Sequence, residues 1–63
     1  MTDKEAYELG KKFSKAVGMD WSLFSKTFGF FQWKRKQKPP LTDASVEALG
    51  RGYRGEPFAI VQS

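Results

Sequence analysis

The sequence predicts a mainly α fold, a compact three-helix mini-domain with an irregular or short extended C-terminal tail. Apolar residues recur at helical spacing in two long runs, and residues suited to capping stand before each helix. The chain also holds ten aromatic residues in 63, enough large rings to build a small core without a sheet. It contains no cysteine and no histidine, so neither a disulfide nor the usual structural zinc can support it. One domain, residues 1–63, is all this length allows.

Residues 2–17 give the first helix, placed at 3–17. Thr2 followed by Glu5 is a capping box, and Ala6, Leu9, Phe13, Ala16 and Val17 repeat on one face. Asp3 and Glu5 suit the positive end of the helix dipole, and Lys11, Lys12 and Lys15 suit its negative end. Glu8 stands four residues before Lys12, in position for an ion pair. Gly18 is a stop.

The second helix is placed at 20–37. Asp20 is its cap, with Met19 and Phe24 positioned as a hydrophobic staple, and Trp21, Phe24, Phe28 and Phe31 share a stripe that reads as core. Phe30 and Trp33 fall outside this stripe, and because a domain this small can hardly bury both faces of one helix, one of them should be displayed to solvent. Gly29 marks a place where the helix could kink or end, and Pro39 and Pro40 end it in any case.

Leu41, Thr42 and Val46 repeat the staple and cap, giving a third helix at 43–50 that turns Val46, Leu49 and Tyr53 toward the core. Gly50, Gly52 and Gly55 interleave with Arg51, Tyr53 and Arg54 and predict a flexible glycine-rich exit. Phe58, Ala59, Ile60 and Val61 have strand character, either as a plug for the core or as a strand that docks on a partner.

Charge is local. Residues 26–38 carry Lys26, Lys34, Arg35, Lys36 and Lys38 and no acid, whereas residues 1–25 balance four cations against four acids and residues 39–63 two against three. The net charge of +4 therefore belongs to one segment, where cations adjoin aromatic rings. Such a surface attracts polyanions, and the expected partner is nucleic acid or an acidic protein surface. The candidate binding residues are Phe30, Trp33, Lys34, Arg35, Lys36 and Lys38. Arg51 and Arg54 join them because Arg-Gly-Tyr-Arg-Gly resembles the arginine-glycine segments of RNA-binding proteins.

The leading expectation is thus a small basic regulatory binding protein that contacts nucleic acid or a complex that handles it. A protein-binding adaptor or inhibitor using the exposed rings and the apolar tail is the alternative, and attachment to an anionic membrane surface is a third class. Sequence-specific DNA reading by a helix-turn-helix is disfavoured, because the second helix begins with Trp21, Ser22 and Leu23.

An enzyme is not expected. Histidine and cysteine are missing, and Ser14, Ser22, Ser25, Ser45 and Ser63 have no evident general base. The carboxylates are scattered, so neither a metal site nor a cofactor is expected. The N-terminal residues carry acids rather than an apolar run and no stretch approaches the length of a membrane span, which together suggest a cytoplasmic chain. Surplus apolar residues leave room for a homodimer.

Overall fold

The computed structural model describes residues 1–58. Within them the chain is helical: α1 Asp3–Val17, α2 Trp21–Phe24, α3 Phe28–Lys36 and α4 Asp43–Arg54. The expected helical mini-domain is what forms, with the middle helix in two pieces. Ala59, Ile60 and Val61, expected to extend as a strand, lie outside the described residues.

α1 begins where the sequence places it. The Thr2 hydroxyl accepts from the Glu5 N–H and the Glu5 carboxylate accepts from the Thr2 N–H, at 3.1 and 2.7 Å. Gly18, at φ 74°, ends the helix in the left-handed conformation that glycine adopts without steric cost. Glu8 pairs with Lys11 at 3.7 Å rather than with Lys12, one of two helical neighbours within its reach.

α4 is the main partner of α1, and the two ascend together. At their starts the buried Ser45 hydroxyl donates to Asp3 at 3.0 Å; at their ends the Tyr53 hydroxyl donates to the Met19 carbonyl. Small residues make this approach close. A Cβ on Gly10 would overlap the Leu49 carbonyl, and one on Gly52 would overlap the Tyr7 carbonyl, so the two backbones touch. Gly50 lies under the Trp21 ring, where a Cβ would stand 2.9 Å from Cε2. This corrects the expected helix end at residue 50. Gly50 and Gly52 do not open a flexible exit; they are helical and buried because their missing side chains admit an indole and a neighbouring backbone. Gly55, at φ 79°, is the actual stop.

The second correction concerns the stretch 20–37. Asp20 makes no side-chain capping bond, and the helix breaks after one turn, at Ser25–Thr27 rather than at Gly29. Thr27 closes one helix and opens the next: its hydroxyl donates to the Phe24 carbonyl at 2.8 Å and accepts from the Phe30 N–H at 3.2 Å. The break resets the helical phase. Phe24 stays in the core, but in α3 Phe30 and Trp33 turn inward while Phe28 and Phe31 turn out, the reverse of the expected stripe.

The core is accordingly aromatic. Tyr53 stacks on Phe24 with ring centroids 4.9 Å apart, Phe24 meets Phe30 at 5.2 Å and Phe13 at 5.6 Å, and Trp21 bridges Phe30 and Tyr53 at 5.5 and 5.3 Å. Trp33 extends the cluster with its edge-to-face contact on Phe13 at 5.2 Å. Such tilted and offset pairs contribute about 0.5–1.5 kcal/mol each beyond their buried area. The domain is only 16 Å through its thinnest direction, which leaves Leu9 and Phe13 half-buried and Ala16 and Val17 exposed.

Candidate functional site

α3 carries the site. Its inner side is fixed by Phe30, 5% exposed, and by half-buried Trp33; rotating 3.6 residues per turn, the opposite side must hold Phe28, Phe31 and Arg35. Phe28 is 71% exposed and Phe31 48%. The expectation that Phe30 or Trp33 is the displayed ring is thus corrected: Phe30 is buried, Trp33 is half-buried, and Phe28 and Phe31 are the displayed rings, because the core claims one side of α3 only and the Thr27 cap determines which.

The cations follow in the last turn. The Arg35 guanidinium lies 5.6 Å from the centre of the Phe31 ring, close enough for a cation–π contact. Lys34 is half-buried, with its ammonium 5.9 Å from the Phe30 ring, so its stem covers the edge of the core while its charge stays near solvent. Arg35, Lys36 and Lys38 are exposed.

A helix-terminal cation commonly binds the last free carbonyls. Here Gln37 occupies part of that role: its N–H donates to the Lys34 carbonyl at 3.3 Å and its side-chain amide to the Trp33 carbonyl at 3.2 Å. Among the described residues, no carboxylate lies within ion-pair distance of Lys26, Lys34, Arg35, Lys36 or Lys38.

Arg51 and Arg54 differ in this respect. Arg51 pairs with Glu47 at 2.7 Å one turn earlier in α4, and Arg54 holds both carboxylate oxygens of Glu56 at 2.8 and 3.3 Å. The Arg54 hydrogen bond keeps the Glu56 carboxyl below its ordinary range, and Glu56 in turn raises Arg54. The arginine-glycine segment is therefore the capped end of a helix with its arginines paired, unlike the cations at the end of α3.

Beside α3 an open apolar groove of about 280 Å³ lies near the end of α1, lined by Phe13, Val17, Phe24, Gly29, Phe30 and Trp33, with the Phe13 and Trp33 rings touching edge to face. Sequence reasoning missed it, because it depends on the phase of α3 relative to α1. Among the described residues no group of three acidic, histidine or cysteine side chains gathers as a metal site would require, and no helix is long and apolar enough to cross a membrane. No family model, curated protein or solved structure matches this chain, so its own geometry must carry the functional reading.

Proposed function

We propose that the chain is a small binding module that holds nucleic acid through Lys34, Arg35, Lys36 and Lys38, with the exposed rings of Phe28 and Phe31 beside them. One observation carries the reading: among the described residues these cations occupy a single turn and its exit without a carboxylate partner, whereas the arginines of α4 are paired. Like charges at this spacing repel, and a phosphate backbone relieves that repulsion while releasing its own counterions. The Arg35 and Phe31 pair adds a surface suited to both parts of a nucleotide, phosphate and base. The reading assigns the chain no catalytic role.

Replacing Lys34, Arg35, Lys36 and Lys38 together by glutamine tests it. The expected outcome is loss of oligonucleotide binding with the helical circular dichroism intact, since three of the four are exposed and Lys34 is only half-buried. Unchanged binding would refute the reading.

A protein-binding adaptor is the second reading, favoured by Leu23, 61% exposed one turn before α3. An exposed leucine serves a protein interface and adds nothing to phosphate binding. Under that reading Leu23→Ser abolishes capture of an acidic partner; under the leading one it leaves oligonucleotide affinity unchanged.

A further inference from the structure

Five of the six glycines have a structural reason. Gly18 and Gly55 adopt positive φ, and Gly10, Gly50 and Gly52 sit where a Cβ would collide with a neighbour. Gly29 has neither. It lies in the first turn of α3, its φ is not positive, and nothing among the described residues comes within 4 Å of where its Cβ would stand. Glycine is the least favourable residue in a helix after proline, so fold stability alone would select against it here. It lines the groove described above together with Phe13, Val17, Phe24, Phe30 and Trp33, so its missing side chain leaves that groove open.

Lys36 stands seven residues after Gly29 and three after Trp33, on the same side of α3, which places a cation beside the groove. An apolar groove edged by aromatic rings, next to cations that no carboxylate among the described residues pairs, fits one kind of occupant, a flat apolar group joined to an anion. A second copy of this chain would bring the same cations to the same rim and be repelled.

We propose that this groove receives an unpaired base of a single-stranded nucleic acid, with Trp33 and Phe13 against the base and Lys36 on the adjoining phosphate. The inference rests on the nucleic-acid reading and narrows it, because a base within a duplex is stacked and cannot enter a lateral slot. Gly29 is then the residue that admits it.

The test compares wild type with Gly29→Leu, which fills the groove while favouring the helix. The probes are a short fluorescein-labelled oligodeoxythymidine and a DNA duplex of the same length, read by fluorescence anisotropy at fixed salt. Wild type should bind the single strand more tightly than the duplex. Gly29→Leu should weaken single-strand binding by about tenfold, the scale of one lost stacking contact, and leave duplex binding unchanged. Its melting temperature should not fall; if it does, Gly29→Ala, which meets no neighbour, is read in its place and should show a smaller loss in the same direction. A folded variant that binds the single strand as wild type does, or a wild type that prefers duplex, overturns the inference while leaving the cationic interface standing. Wild type that binds neither probe overturns both, whether or not it binds anionic vesicles.

Discussion

Gly52 lies against the main-chain carbonyl of Tyr7, so that α4 and α1 meet backbone to backbone with no side chain between them. Gly10 makes the reciprocal approach to the Leu49 carbonyl. Neither contact can yield as a flexible side chain would. Gly52→Ala and Gly10→Ala should therefore each destabilise the domain by at least about 2 kcal/mol, toward the upper end of overpacking costs. Chemical denaturation measures this, and an alanine variant as stable as wild type would show that the helices are further apart than described.

The facing of α3 is tested by two phenylalanines two residues apart. Phe30→Ala should cost about 3–5 kcal/mol, because the ring is almost fully buried among Trp21, Phe24 and Trp33, and that loss is enough to unfold a small domain. Phe28→Ala should change stability by no more than about 0.5 kcal/mol. Equal costs, or the reverse order, would mean that α3 is rotated.

The first helix and the start of the last were legible because their signals are local. Thr2 with Glu5, Gly18, and Thr42 before Asp43 each act within a turn of the helix they bound. Phe24, Leu49 and Tyr53 were legible as core for a related reason, since each lies on the apolar stripe of its own segment. The rest depended on contacts between segments. Trp21, Phe24, Phe28 and Phe31 keep helical spacing straight through the break at Thr27, so periodicity hid a phase change that the threonine alone could have signalled. Gly50 and Gly52 read as terminators in one dimension and become packing residues only when Trp21 and Tyr7 arrive. The cations at the end of α3 were readable as a cluster, but their lack of acidic partners among the described residues, and the pairing of Arg51 and Arg54, required the fold.

Acid should weaken the fold through its terminal carboxylates. The Thr2 N–H, and then the Thr2 hydroxyl, hold the Glu5 carboxyl below its ordinary value of 4.5, and the Arg54 hydrogen bond does the same for Glu56. A carboxyl depressed in the folded state contributes stability above its unfolded pKa and loses it as pH falls through the folded value. The melting temperature should thus drop as pH falls below about 4.5, and Glu5→Gln should flatten part of that drop. A Gln variant with the same acid dependence as wild type would remove Glu5 from this account.

The central claim, that the cations at the end of α3 and just beyond it hold a polyphosphate, is tested most directly by the salt dependence of oligonucleotide affinity. Four cations, Lys34, Arg35, Lys36 and Lys38, predict a log–log slope of about −2.8 on a single strand, or about −3.6 on duplex DNA, from the counterions released. Anisotropy titrations of wild type across a range of sodium chloride concentrations give the slope without any mutation. A slope near these values is the predicted result, and a flat line, or no binding at the lowest salt, would contradict the claim.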